Sequence, residues 1–481
     1  MRPKSFAPGM MLASLVLLAF SAPAQAAPAH ASGPGIISAY TLVTPTSLSK
    51  SRLQSRAVIP NGIPCPRVHA TKGKKKLDLK MTKRVPGAST GSAFSAVRAC
   101  QANLPSGLKS ASIAGVKVPA SLPKTFDKIA IFGDTGCAVN GETSQDCTST
   151  ASWPLAKNAH SISKEHPDLT IFTGDFFYRE GPCPAGQEAK CGGSTIPVPG
   201  MPFDDSDYGW IADVFAPMAP ALSAAPMLAI RGNHEACNRG GNGYFLFFDV
   251  SPLGADACAP DASNQAPKNI QPSWAVDLPI SSGRTLRAVM VDSAYGNNYS
   301  LSPWVPTQHT AYEQAAKLSA KKKGRESWLI THRPMFGVDT TFETQFDPAW
   351  NNWTAVDQTA AAQGLIGNYN LMFASHIHVA QVVQIPGQPA QVVVGNGGAN
   401  PDSLTGYTLP VYGPLLGNQG QQLSPDYAPY PTASYLWTAV RYGYGILKPQ
   451  PKANQWKMIE KAYDGSTFAT CSMKGKQATC G

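Results

Sequence analysis

The chain has 481 residues, enough for one large domain with an appendage. Lys and Arg outnumber Asp and Glu by 40 to 30, a formal charge of +10, so the field favours anionic partners without identifying them. No apolar run reaches the roughly 20 residues of a membrane-spanning helix, and no Cys-x-x-Cys spacing supports a zinc cluster built from the ten cysteines.

Arg2 and Lys4 precede an apolar run from Met10 to Phe20 and then Ala22-Pro23-Ala24-Gln25-Ala26. This is the three-part pattern of a secretory signal, expected to cover residues 1–26 or to end after Ala31, and it predicts a secreted or periplasmic protein. Residues 27–123 form a basic, partly irregular segment. Lys72, Lys74, Lys75, Lys76, Lys80, Lys83 and Arg84 cluster in it without interleaved aromatic residues, so they read as a solvated loop or linker face and not as a nucleic-acid platform. Phe94 to Pro123 alternates enough for short strands.

From Lys124 the pattern becomes strand, helix, strand. Strands are expected at Lys128–Phe132, Leu169–Thr173, Met227–Ile230, Trp274–Leu278, Leu286–Asp292, Trp328–Ile330, Leu371–Phe373, Val379–Ile385 and Gln391–Gly395. Helices are expected at Trp153–His166, Tyr208–Pro220 and Thr307–Lys323. A long loop from Pro401 to Pro431 then leads to strands at Tyr442–Lys448 and Gln455–Tyr463, which add a hairpin to one sheet. Parallel βαβ units giving way to antiparallel strands point to two packed mixed sheets flanked by helices, an α/β (α+β) chain whose catalytic domain spans residues 124–481.

Five motifs follow five of those strands: Gly133-Asp134-Thr135-Gly136, Gly174-Asp175-Phe176-Phe177-Tyr178, Gly232-Asn233-His234-Glu235, Thr331-His332 and His376-Ile377-His378. Side chains at the C-terminal ends of buried strands project into one crevice, where open α/β sheets bind ligands. Carboxylates, a phenol, an amide and imidazoles without thiolate suit iron, manganese or zinc. Two such ions can clamp the attacking and departing oxygens of a phosphate ester and lower the pKa of bound water, which supplies a hydroxide nucleophile.

In order and type these motifs resemble the calcineurin-like metallophosphoesterases, and within them the purple acid phosphatases. The superfamily's Asp-x-His has Gly136 in the histidine position, and the missing ligand returns as Tyr178 in Gly-Asp-x-x-Tyr. The resemblance implies a four-layer sandwich over about residues 124–400. It implies Asp134, Tyr178 and His378 on a ferric ion, Asp175 bridging, and Asn233, His332 and His376 on a divalent ion of iron, zinc or manganese. It also implies His234 as the general acid that protonates the leaving alkoxide of a small phosphate-ester substrate. Glu235 would orient His234. Ser375 for glycine and Leu329 for valine depart from the pattern, and no counterpart is found for the family's further substrate-facing histidines. The expected activity is acid phosphomonoester hydrolysis. A phosphodiesterase on the same metals is the alternative, and a non-catalytic phosphate- or surface-binding module would show a lost ligand, whereas none is missing. Oligomeric state is not legible.

The cysteines fall into neighbouring pairs, Cys65 with Cys100, Cys137 with Cys147, Cys183 with Cys191, Cys237 with Cys258 and Cys471 with Cys480. Connectivity does not follow from sequence alone, but nearest-neighbour pairing would close a short loop after each of the first three motifs. Arg179, Arg239 and Arg333 adjoin ligands along the chain and are candidates for binding phosphate. His160, His166 and His309 match nothing and read as surface or helix-end residues. Asn298-Tyr299-Ser300 and Asn352-Trp353-Thr354 fit the glycosylation sequon.

Overall fold

Three short parallel strands, Ile129–Phe132, Leu169–Phe172 and Met227–Ala229, are buried along their whole length, which is why each reads as an unbroken apolar run. Leu169–Phe172 lies between the other two, with Ile171 opposite Ile131 on one side and Leu228 on the other. The computed structural model describes residues 35–47, 50–84, 92–192, 201–250, 258, 270–280, 283–298, 301–337, 356–402 and 434–481. The expected signal, nearly all of the expected loop from Pro401 to Pro431 and the sequon at Asn352 lie outside the described residues.

This parallel core is extended on both flanks into an 11-stranded sheet. On one flank Gly443–Pro449 runs antiparallel to Ile129–Phe132 and is followed by Gln455–Ala462, Thr467–Lys474 and Gln477–Cys480, so the expected hairpin grows to four strands. On the other flank Ser38–Ser47 pairs in parallel with Met227–Ala229, and Lys50–Pro60 and Val97–Leu104 continue antiparallel. Residues far upstream of Lys124 are thereby hydrogen-bonded into the sheet that carries the first motifs.

Two buried arginines fasten this flank. Arg56 donates to the carbonyls of Phe247 (2.9 Å) and Asp249 (2.7 Å), and Arg84 to those of Phe245 (2.7 Å) and Leu246 (2.9 Å). These carbonyls close the helix Gly241–Phe247, where cations complement the negative end of the helix dipole.

The basic stretch expected to be a loop is instead a hairpin, Arg67–Lys72 with Lys75–Lys80, in a separate four-stranded sheet. Val68 and Ala70 point inward, while the lysines are exposed. The density of lysines hid this period-two pattern.

The second large sheet has seven strands. Arg284–Met290, Arg325–Ile330, Leu371–Ala374 and Ala390–Val394 are parallel neighbours, edged by antiparallel Trp274–Ile280 on one side and by Ala380–Gln384 and Tyr435–Ala439 on the other. One face meets the first sheet through Trp328, Phe373 and Trp456, with ring centroids 4.7 Å apart for Trp328 and Phe373 and 4.6 Å for the two tryptophans. The other face, with Val289, Leu329 and Met372, packs under Tyr312 and Ala315 of the helix Val305–Leu318. The helices Leu155–Lys164 and Ala216–Ala224 pack beside the first sheet, completing a four-layer sandwich. No helix among the described residues is long and apolar enough to cross a membrane.

Candidate metal centre

Three of the motifs turn sharply as they leave their strands. Asp134, Asp175 and His376 have φ of +54°, +58° and +75°, a left-handed conformation that costs a residue bearing a Cβ about 1 kcal/mol or more and persists where surrounding bonds enforce it. Those bonds cross between motifs. Asp134 Oδ2 accepts from the His376 backbone N–H at 2.6 Å, and Asp175 Oδ1 from that of His234 at 2.8 Å.

The turns bring the seven nominated metal ligands into one cluster, with Asp134, Asp175, Tyr178 and His332 buried and Asn233, His376 and His378 partly exposed. The Tyr178 hydroxyl lies 2.9 Å from Asp175 Oδ2, 2.9 Å from His378 Nε2 and 3.3 Å from Asp134 Oδ1. His332 Nε2 is 2.9 Å from Asn233 Oδ1 and 3.2 Å from Asp175 Oδ2. Asp175, His332 and His376 each present a donor atom within 4.8 Å of the others. The far sides of two imidazoles are engaged: His332 Nδ1 lies 3.0 Å from the Thr173 carbonyl and from Ser375 Oγ, and His378 Nδ1 lies 2.6 Å from the Asn400 carbonyl. Such backbone anchors set the tautomer and turn Nε2 toward the cluster. Ser375, the departure from glycine, thus adds a hydrogen bond behind a ligand.

Charge makes the cluster a fit for cations. Burial and the charge of Asp175 push the Asp134 carboxyl well above its ordinary range. Burial acts on Asp175 in the same sense, but the imidazoles of His332 and His234 hold it well below. Burial and the nearby Arg333 push His376 well below its usual value, and burial with the two carboxylates raises the Tyr178 hydroxyl. Carboxylates, phenol, amide oxygen and imidazoles buried this closely relieve their conflict by sharing positive ions, and all ten cysteines are tied up in disulfides.

His234 stacks on Tyr178 with ring centroids 3.7 Å apart and is partly exposed. The carboxylate beside it is not the expected Glu235. Glu235 is fully buried and accepts from the backbone N–H groups of Asp175 (2.9 Å), Phe176 (2.7 Å), Phe177 (3.1 Å) and Gly232 (2.8 Å), clamping the second motif to the third. Burial pushes its carboxyl up to about 8. Glu180 takes the orienting place, with Oε1 3.0 Å from His234 Nδ1.

The three candidate arginines separate. Arg239 grips Glu180 with both Nε (2.5 Å) and Nη2 (2.6 Å), and its Nη2 lies 2.7 Å from His234 Nδ1. Arg333 Nη1 lies 2.9 Å from His376 Nε2 and donates to Asn298 Oδ1, so it borders the cluster. Arg179 does not: it is buried against Asp213 and the carbonyls of Cys191 and Gly192. Of the unmatched histidines, His160 and His166 are exposed, and His309 lies half-buried in a helix with Nδ1 2.8 Å from the Ala361 carbonyl.

Besides Glu180, three residues were given no role at the site by the sequence. Asn298, read as a sequon, holds its Nδ2 2.9 Å from His376 Nε2, where a glycan would cover the cluster. Asp402 accepts from the His378 backbone N–H at 2.7 Å. Asp213 accepts from the backbone N–H of Cys137 (2.8 Å) and of Tyr178 (2.7 Å), joining the first two motifs. It sits in a π-helical turn, Ile211–Phe215, that interrupts the single helix expected there; such turns cluster at functional sites. Of the four, Glu180, two residues past Tyr178, is the one whose position along the chain could have signalled a role.

The five nearest-neighbour cysteine pairs are bonded. Three of them, Cys137–Cys147, Cys183–Cys191 and Cys237–Cys258, close the loops that follow the first three motifs.

A calcineurin-like phosphoesterase model matches residues 127–380, more than half of the chain and all five motifs. The chain belongs to the calcineurin-like phosphoesterase family. Its members act on phosphate esters at a dimetal centre. Among solved structures the chain is similar to a purple acid phosphatase from yellow lupin (Lupinus luteus) seeds, with 12% identity, 92% of this chain and 75% of that chain covered and a TM-score of 0.51. It is also similar to PhoD, with 11% identity, 93% and 92% covered and a TM-score of 0.50. At such identities these likenesses concern the fold. No curated protein matches the sequence.

Proposed function

We propose that this phosphoesterase is an exported acid phosphomonoesterase with a tyrosinate-bearing metal pair, one ferric and one divalent ion of iron, zinc or manganese. The observation that carries the reading is the position of the Tyr178 hydroxyl, 2.9 Å from both Asp175 and His378 and 3.3 Å from Asp134. Asp134, Tyr178 and His378 would hold the ferric ion, Asp175 would bridge, and Asn233, His332 and His376 would hold the other. Bound there, the ions supply Lewis acidity and activate water near neutral pH.

The chain's own residues do the rest. His234, partly exposed over Tyr178, donates its proton to the leaving alkoxide, a role worth roughly 10²–10⁴ in rate. Glu180 fixes the plane of that imidazole through Nδ1, and Arg239 holds Glu180 in place. The five disulfides support an oxidising compartment.

Metal analysis with a visible spectrum tests the reading. About two metals per chain, one of them iron, a broad visible band and faster hydrolysis of p-nitrophenyl phosphate than of its diester at acidic pH are expected. Two divalent ions and no colour would overturn the tyrosinate assignment, and a faster diester rate would overturn the monoesterase.

A further inference from the structure

A second cation-rich place lies at the opposite end of the seven-stranded sheet. The strand Arg325–Ile330 links the two: His332 follows its C-terminal end, while Arg325 opens its N-terminal end, about 23 Å away at the usual rise per residue. There a cavity of about 470 Å³ is walled by Arg284, Lys321, Lys322, Lys323 and Arg325, a volume within the range of small-molecule sites.

The cavity has more positive charge than its own walls can balance. Its one carboxylate, Glu326, is already engaged, 3.4 Å from Arg284 Nη1 and accepting from Trp456 Nε1 at 3.1 Å. Lys321, Lys322 and Lys323 are exposed at the rim. The Nε of Arg325 is buried with no hydrogen-bond partner among the described residues, and burial with the neighbouring Arg287 lowers the pKa of its guanidinium. Arg325 Nη2 donates to the Ala320 carbonyl, which leaves Nε as an unmet donor beside three exposed lysines, a set suited to an anion.

We infer that this cavity binds a soluble anion carrying several phosphate groups, independently of the metal centre. Guanidinium forks pair with phosphate oxygens bidentately, and lysines add point charges around them. One phosphate group brings about two negative charges at most, fewer than the Arg325 and three lysine charges that remain once Arg284 is paired with Glu326, so a short chain of linked phosphates fits better than a single one.

Inorganic tripolyphosphate, titrated calorimetrically into the metal-loaded full chain, tests this. Three proteins are compared: wild type, Lys322→Ala/Lys323→Ala and Asp134→Asn. Wild type and Asp134→Asn should bind with affinity that falls as salt rises. The lysine pair should lose about tenfold or more while hydrolysing p-nitrophenyl phosphate normally and melting at the wild-type temperature. Orthophosphate should bind more weakly than tripolyphosphate. Equal affinity in wild type and the lysine variant would overturn the site. Loss in Asp134→Asn alone would place the binding at the metal centre instead, and equal binding of orthophosphate would overturn the requirement for several phosphates.

Discussion

A Cβ added at Gly136 would lie 2.7 Å from the backbone nitrogen of Tyr178 and 2.6 Å from Asp213 Oδ2. No side chain fits there while Asp213 bonds both loops, so the histidine of the superfamily pattern is excluded at this position by packing. Gly136→Ala should therefore destabilise the chain by about 1–3 kcal/mol, the usual cost of overpacking, in urea melts. Tyr178→Phe keeps the volume, and it should abolish the visible band and change the metal content without a comparable loss of stability. A double variant carrying Gly136→His and Tyr178→Phe should fail to restore iron binding.

Asp213 and Arg179 form a fully buried pair, 3.2 Å apart. Burial pushes the Asp213 carboxyl up to about 6, against the pull of Arg179. Asp213→Ala strands the guanidinium and two backbone N–H groups, so a loss of about 3–5 kcal/mol is expected. Because those N–H groups belong to Cys137 and Tyr178, metal content per folded chain should fall as well, measured on protein held below its melting point.

Glu180 and Arg239 should act through His234. Glu180→Gln is expected to lower kcat for a monoester by about tenfold, less than the roughly 10²–10⁴ loss for His234→Ala, with KM nearly unchanged. Substrates with better leaving groups, which need less protonation, should narrow both deficits. A deficit that is the same for every leaving group would remove the general-acid reading of His234.

Glu460 lies in the strand Gln455–Ala462, fully buried, and burial alone pushes its carboxyl up to about 8. The folded chain holds this proton after the unfolded chain has released it, so the contribution is complete below the unfolded value and drains away as pH rises to about 8. Glu460→Gln removes this drain. The variant should melt close to wild type near pH 4 and several degrees above it at pH 9, read by circular dichroism. Parallel melting curves across that range would show that Glu460 reaches solvent.

The members of the cluster were legible because each is a polar residue in a motif that follows a buried strand, a pattern written over a few adjacent positions. The positions of the strands along the second half and the appended C-terminal hairpin followed from the same local periodicity. What surrounds the ligands was not legible, since it depends on which loops meet. Glu235 reads as a neighbour of His234, yet its carboxylate turns back to four backbone N–H groups of two motifs, and Glu180 stands beside the imidazole. Asp213 and Asn298 reach the cluster from segments without a motif, and Ser38–Ser47 joins the first sheet beside a strand almost two hundred positions later. Sequence thus determined the kind of chemistry, through residue types at strand ends. Tertiary structure decided which groups orient, clamp and exclude, because burial and hydrogen-bond reach are properties of space and not of spacing along the chain.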